Sequence, residues 1–222
     1  FSKSPAISGD RVVWEDSPIG NPDIILYDLT TNTQRRITTD PAKQWFPDIS
    51  GNRIVWQDER HGNPDIYLYD LTMNTERRIT TDPKGQWEPA ISGDRIVWTD
   101  YRNDPEGVDL TYGDNGDIYL YDLITNTERQ ITNHLALQTD PAISGNRLVW
   151  EDRRHGRPAV YLCDLTTNTE RPIATDPAIQ FIYGPKISGD WIVWSDNRTG
   201  NQDIYLYDLA TNTERRLTSN PT

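Results

Sequence analysis

Apolar and polar positions alternate in short runs along the whole chain, and no stretch of ten residues keeps a helical period. Within residues 48–80, Asp48-Ile49-Ser50 is a short run centred on an apolar residue and Gly51-Asn52 a two-residue turn. Arg53-Ile54-Val55-Trp56-Gln57 is a β-branched and aromatic run suited to a strand. Glycine followed by Asn or Asp supplies the positive φ angles that a tight hairpin needs. Arg60-His61-Gly62-Asn63-Pro64 reads as a loop, Asp65 to Leu71 as a strand, Thr72-Met73-Asn74-Thr75 as a second turn, and Glu76 to Thr80 as a fourth strand. The pattern predicts four strands, A to D in order.

The string Pro-x-Ile-Ser-Gly starts at Pro5, Pro47, Pro89, Pro141 and Pro185, in steps of 42, 42, 52 and 44. Trp14, Trp56, Trp98, Trp150 and Trp194 keep the same steps, and an Asp follows each by two positions. A period of roughly 40 to 50 residues fits helical pairs or four-stranded propeller blades, and the strand content of each unit decides for blades. Strand C carries Ile66 and Leu68 on one face and Tyr67, Tyr69 and Leu71 on the other, so each sheet is sandwiched between neighbours. Strand D holds Arg35-Arg36, Arg77-Arg78 and Arg215-Arg216, and Pro172 in the fourth copy, which marks it as the outer, solvent-facing edge. Strand A is then innermost. The expected fold is an all-β, five-bladed β-propeller of four-stranded antiparallel blades, one domain over 1–222 with blades near 1–42, 43–84, 85–136, 137–180 and 181–222. The chain begins at Phe1 without Met or a charged-then-apolar leader, and both ends fall in D-to-A connectors, which reads as a piece of something longer. The ring is expected to be monomeric and closed by face packing alone, with all five tryptophans buried between blades.

Ile-Ser-Gly-Asp-Arg-Ile-Val-Trp at 91–98, Asp-x-Arg-x-Gly-Asn-x-Asp-Ile-Tyr-Leu-Tyr-Asp-Leu at 58–71 and Glu-Arg-Arg-Ile-Thr at 76–80 together resemble the repeat of the TolB-like propeller family. The resemblance spans essentially the whole chain. Where that family usually has Ser-Pro-Asp-Gly this chain has Ser-Gly-Asp or Ser-Gly-Asn, which shortens the A-to-B turn. The resemblance implies an extracellular, periplasmic or cell-surface binding module. It transfers no catalytic residue, because the repeated motif is structural.

The charge balance, 22 Lys+Arg against 34 Asp+Glu, gives −12 and would repel a phosphate backbone, so nucleic acid is not an expected partner. Mean hydropathy is −0.75 and the apolar runs are too short for a spanning helix, so no membrane insertion is expected. The lone Cys163 forms no intramolecular disulfide, and three histidines without a Cys-x-x-Cys match no zinc template. Gly-x-Ser-x-Gly, His-Glu-x-x-His and glycine-rich phosphate loops are all missing, so no catalytic residue is nominated.

In an up-and-down blade the D-to-A connectors and B-to-C loops share one face, and the A-to-B and C-to-D turns share the other. The turn face repeats nearly verbatim, while the connectors vary, which places a site on the connector face near the channel mouth. Trp45, Trp87, Phe181 and Tyr183 stand there, either to stack on sugar rings or anchor a protein, or to fill the wedge between blades. A Gln precedes three of these positions (Gln44, Gln86, Gln180), with Gln138 before Thr139. Arg60, Arg102, Arg154 and Arg198 occupy matching B-to-C positions, with Pro18 in the first copy; they would form a carboxylate-capturing ring around the channel or pair with a local Asp such as Asp58 or Asp65. His61 and His155 read as solvated loop residues, and Cys163 as a buried stand-in for the strand-C tyrosine. Ten extra residues within Asn103–Gly116 add Asp104, Glu106, Asp109 and Asp114 ahead of Asp117; the acidic loop reads as solvated and no cofactor is expected, with calcium at this insertion as the alternative. The expected function is a non-catalytic recognition module for a protein or glycan. The alternatives are a glycan lyase or hydrolase with acids at the channel mouth, and a purely structural propeller.

Overall fold

The computed structural model of the protein describes residues 2–17, 20–104 and 115–219. Blade 1 is β1 (Ser2–Ser8), β2 (Arg11–Asp16), β3 (Asp23–Asp28) and β4 (Thr33–Arg36). Blade 2 is β5 (Gln44–Ser50), β6 (Arg53–Asp58), β7 (Asp65–Asp70) and β8 (Thr75–Arg78). Blade 3 is β9 (Gln86–Ser92), β10 (Arg95–Asp100), β11 (Asp117–Asp122) and β12 (Thr127–Gln130). Blade 4 is β13 (Gln138–Ser144), β14 (Arg147–Asp152), β15 (Ala159–Asp164) and β16 (Thr169–Ala174). Blade 5 is β17 (Ile182–Ser188), β18 (Trp191–Asp196), β19 (Asp203–Asp208) and β20 (Thr213–Arg216). Each blade is an antiparallel sheet in sequence order, and together they form a five-bladed all-β propeller about a central cavity. No helix among the described residues is long and apolar enough to cross a membrane.

The turns explain the repeated polar residues. Gly51 takes φ 59° in the A-to-B hairpin and Asn74 takes φ 54° in the C-to-D hairpin, a region that Gly and Asn tolerate best. Asp70 tightens the second turn by accepting the N–H groups of Thr72 and Met73 at 2.8 and 3.0 Å. In the innermost strand the register slips around the motif proline, as between Trp45 and Asp48, because proline has no N–H to give a ladder. The residue before it is driven to positive φ in four blades: Ser4 49°, Phe46 48°, Glu88 56° and Asp140 53°.

Four apolar clusters form the core, and each joins one blade to the next. In the first, Val13, Ile24 and Leu26 of blade 1 pack on Ile49, Ile54, Trp56 and Tyr67 of blade 2. Polar contacts stitch the same junctions on the turn side. The Ser8 hydroxyl accepts Gly51 N–H at 2.9 Å, and Ser50, Ser92 and Ser144 repeat this toward Gly93, Gly145 and Gly189. The guanidinium groups of Arg11, Arg53, Arg95 and Arg147 reach Asn52, Asp94, Asn146 and Asp190 of the following blade. Trp56, Trp98 and Trp150 are fully buried and Trp194 is 2% exposed. Trp14 departs from the expectation: it is half-buried, because the blade 5 to blade 1 seam has no cluster of its own among the described residues.

Candidate functional site

Backbone hydrogen bonds gather the connectors and B-to-C loops on one face. Glu59 N–H donates to the Lys43 carbonyl at 3.1 Å, and Gln44 N–H to the Pro22 carbonyl at 3.0 Å. On the opposite face Leu71 N–H donates to the Asn52 carbonyl at 2.8 Å, tying the two turns of a blade together. Between the faces lies a cavity of about 550 Å³ lined by all five innermost strands. Strand A runs from connector face to turn face, so Ser4, Phe46, Glu88 and Asp140 form its connector-side rim.

This rim is acidic. Glu88 Oε2 accepts Thr139 Oγ1 at 3.2 Å and Asp140 N–H at 3.3 Å. Burial, with the adjacent Asp140 charge and hydrogen bond, pushes the Glu88 carboxyl up to about 8. Deeper in, Asp48 accepts Ile49 N–H and Ile91 N–H, each at 2.8 Å. Burial raises its pKa, and those N–H groups and the Lys186 charge oppose the rise. Glu151, 2% exposed and paired with Arg153 at 2.7 Å, is likewise raised by burial. No motif in the sequence marks Glu88 and Asp140. The available signal was that they vary at the position before an unvarying proline.

The four aromatic candidates divide into two kinds. Trp45 is half-buried, stacked on Phe46 with centroids 6.4 Å apart, and Lys43 Nζ lies 5.3 Å from its ring. Trp87 is half-buried against Gly85, where an added Cβ would collide with the indole nitrogen. Phe181 and Tyr183 are open, at 59% and 65% exposure. Strand pairing also corrects their alignment. Gln44, Gln86 and Gln138 oppose Asp58, Asp100 and Asp152, and the residue opposing Asp196 is Ile182. Tyr183 is therefore the counterpart of Trp45 and Trp87, and Gln180 is out of register with the other glutamines. Those three are fully buried, each amide nitrogen donating to a carbonyl two residues earlier, as Gln44 does to Ala42 at 2.6 Å.

Arg60, Arg102, Arg154 and Arg198 do not ring the channel. Alternation along a strand puts Trp56 and Asp58 on one face, and the indole N–H donates to Asp58 at 2.9 Å. Arg60 grips the same carboxylate at 2.9 and 2.6 Å, lies 4.3 Å over the Tyr67 ring and ends on Glu76 of the outermost strand at 2.6 Å. The other three arginines repeat this arrangement with Asp100, Asp152 and Asp196. At Arg154 the bonds to Asp152 outweigh burial and hold the guanidinium pKa above its usual value. They point outward along the blade and already hold two carboxylates each. Pro18 of the first copy lies outside the described residues.

His61 stacks on Tyr67, and His155 Nε2 lies 3.1 Å from the Tyr161 hydroxyl. Cys163 is buried, and desolvation raises its thiol pKa. Of the insertion acids, Glu106, Asp109 and Asp114 lie outside the described residues. Asp117 is buried and bonded by Asn103, Gln130 and Thr132. Among the described residues no three His, Cys, Asp or Glu side chains gather as metal ligands.

With the blades and cavity in view, solved structures give the fold its relatives. The chain superposes on TolB from Acinetobacter baumannii with TM-score 0.74 and 21% identity, over 98% of this chain and 54% of that one. The fold is that of a TolB-like β-propeller. The chain thus spans about half the length of the Acinetobacter TolB. An Agrobacterium tumefaciens protein named for TolB gives TM-score 0.73 and 18% identity, over 97% of this chain and 80% of that one. An oligogalacturonate lyase in complex with manganese gives 0.68 and 14%, over 96% and 63%. No family model and no curated protein matches the chain.

Proposed function

We propose that this TolB-like propeller is a non-catalytic recognition module of the extracellular, periplasmic or cell-surface space, binding a protein or glycan on its connector face. The carrying observation is the exposed pair Phe181 and Tyr183, which stand open while Trp45 and Trp87, the counterparts of Tyr183 in blades 2 and 3, are half-buried. Flat rings held on a rigid strand start contribute contact area at small entropic cost, to a sugar face or a partner's apolar side chain. Trp45 and Trp87 add half-buried rings to the same connector face. The likeness to TolB structures supports the envelope setting. The test is a glycan and cell-wall polymer array with the chain, alongside a pull-down from envelope extracts. A Phe181→Ala, Tyr183→Ala double variant should lose the bound species and keep the parent melting temperature. Binding that survives the double variant overturns the aromatic site.

A second reading has one observation of its own: Glu88, its carboxyl pushed up by burial and by Asp140 at a cavity rim, has the form of a general acid. Two carboxyl groups in a cleft are also what a glycan hydrolase uses. Turnover of an acidic or neutral polysaccharide that vanishes in Glu88→Gln would favour this reading over the first.

A further inference from the structure

Most buried acids of this chain hold a base. Asp58, Asp100, Asp152 and Asp196 each hold an arginine at 2.6 Å, Asp65 holds Arg78 at 2.9 Å and Glu151 holds Arg153 at 2.7 Å. The connector-side mouth of the central cavity departs from this. Glu88 and Asp140 stand together there, both half-buried, and the Asp140 charge helps to raise the Glu88 carboxyl. Among the described residues no Lys, Arg or His forms an ion pair with either. Two acids side by side repel unless a proton or a cation comes between them.

The same mouth holds an acceptor that lacks a donor. Where blade 1 meets blade 2, Glu15 Oε2 accepts the N–H of Phe46, the residue before the motif proline, at 3.2 Å. One junction on, Gln57 holds Glu15's place and Glu88 holds that of Phe46. Strand alternation turns Gln57 toward blade 3 together with Val55, which packs on Ile91. Gln57 is 1% exposed, and its Oε1 has no hydrogen-bond partner. A buried amide oxygen left unpaired is costly, and an N–H donor beside it removes the cost. Blade 5 keeps the flank open. It has Gly184 before its proline, where an added Cβ would stand 3.4 Å from the Asp140 carboxyl carbon. Among the described residues Lys186 is the one base lining the cavity, and its charge acts on Asp48. No three carboxyls among those residues gather closely enough for a metal ion, which favours a cation with a body of its own in a space of about 550 Å³.

We infer that the connector-side mouth of the cavity binds an aliphatic ammonium group, carried by a free polyamine or by a lysine side chain of a peptide, between Glu88 and Asp140 with Gln57 Oε1 as the further acceptor. A primary ammonium has three N–H donors, which matches two carboxylates and one amide oxygen. With the cation between them both carboxyls stay ionised, and attraction replaces repulsion. The inference rests neither on the Phe181 and Tyr183 rings nor on catalysis at Glu88.

The test titrates spermidine, and separately the tripeptide Ala-Lys-Ala blocked at both ends, into the protein by calorimetry at neutral pH and near-physiological salt. Saturable binding of spermidine alone identifies a free polyamine as the source, and binding of the tripeptide identifies a lysine side chain. Tetramethylammonium, which has no N–H, should not bind. The double variant Glu88→Gln, Asp140→Asn should weaken binding about tenfold or more, since both carboxylates of the site are lost. Lys186→Gln should tighten it roughly threefold by removing a like charge. Phe181→Ala with Tyr183→Ala should keep the affinity, as should Glu59→Gln in a nearby loop. Binding of neither probe overturns the inference, and so does tetramethylammonium binding as tightly as the amines. Equal weakening by Glu59→Gln would mean attraction to net charge alone, and loss of binding with the two rings would put the amine on them; either overturns it. Should the double variant fail to fold, Lys186→Gln decides, because an affinity that does not rise there places the amine outside the cavity.

Discussion

Trp56 and Trp14 occupy the same place in two copies of one repeat, yet the first is sealed and the second half-open. Trp56 sits in a cluster with Val13, Ile24 and Leu26, all from the blade before it. Trp194, in the last blade, is sealed as well because blade 4 precedes it. Burial therefore runs in one direction around the propeller: each tryptophan is covered by its predecessor. The first copy also lacks the polar partners of the others, since Ile25 replaces the tyrosine and Asp16 is bonded by Ser2 at 3.0 Å. What the residue becomes is decided by the neighbouring unit and not by its own segment.

The sharpest test of that contrast is truncation. Trp98→Ala should cost about 4 kcal/mol, the usual penalty for emptying a fully buried aromatic site, and Trp14→Ala about half as much, read from denaturant midpoints. Equal losses would mean that Trp14 is covered in solution. Next in size, Asp152→Ala strands the Trp150 indole N–H and leaves the Arg154 guanidinium only Glu170, and should cost about 3 kcal/mol, against less than about 1 for Asp16→Ala. Both are read by thermal unfolding at one pH.

Glu88→Gln separates the rim from the walls. Its folded-state pKa lies above the unfolded value, so between roughly pH 4.5 and 8 the folded chain binds more protons than the unfolded one, and stability falls as pH rises. Glutamine keeps the neutral shape and removes the proton. The variant should therefore match the parent below that window and melt higher than it above pH 8, and parallel pH profiles would refute the protonated rim. The smallest effect belongs to the turn-side stitches: Arg147→Ala should cost at most about 1 kcal/mol, because the pair is well exposed. Trp191→Ala, with no stitch to lose, should be neutral within about 0.5 kcal/mol.

The blades were legible because every level of the repeat agreed: turn residues with positive φ, alternation in strands A to C, and arginines on the outer edge. Strand D is exposed along Thr33–Arg36, as its charges required. The pairing of Arg60 with Asp58 was one of two readings, and the Trp-x-Asp-x-Arg spacing gains its reason only when Asp58 is seen serving the indole and the guanidinium together. The fifth connector misled, since Gln180-Phe181 mimics Gln44-Trp45 in letters; counting back from the motif proline gives Ile182 the glutamine's place. The openness of Trp14 left no trace in its own unit, because it depends on a surface elsewhere on the chain.

The stacked rings of each wall have an optical consequence. Trp56 and Tyr67, Trp98 and Tyr119, Trp150 and Tyr161, and Trp194 and Tyr205 lie with centroids 5.9 to 6.1 Å apart and interplanar angles of 15° to 29°. Electronic transitions this close and this skewed couple, so each pair rotates polarised light as a unit and falls silent when its rings part. Blade 1, with Ile25 in the tyrosine's place, makes no such signal. Among the described residues there are thus four such Trp–Tyr pairs, one in each blade that has a predecessor. Circular dichroism during denaturation would count them going out together or one at a time.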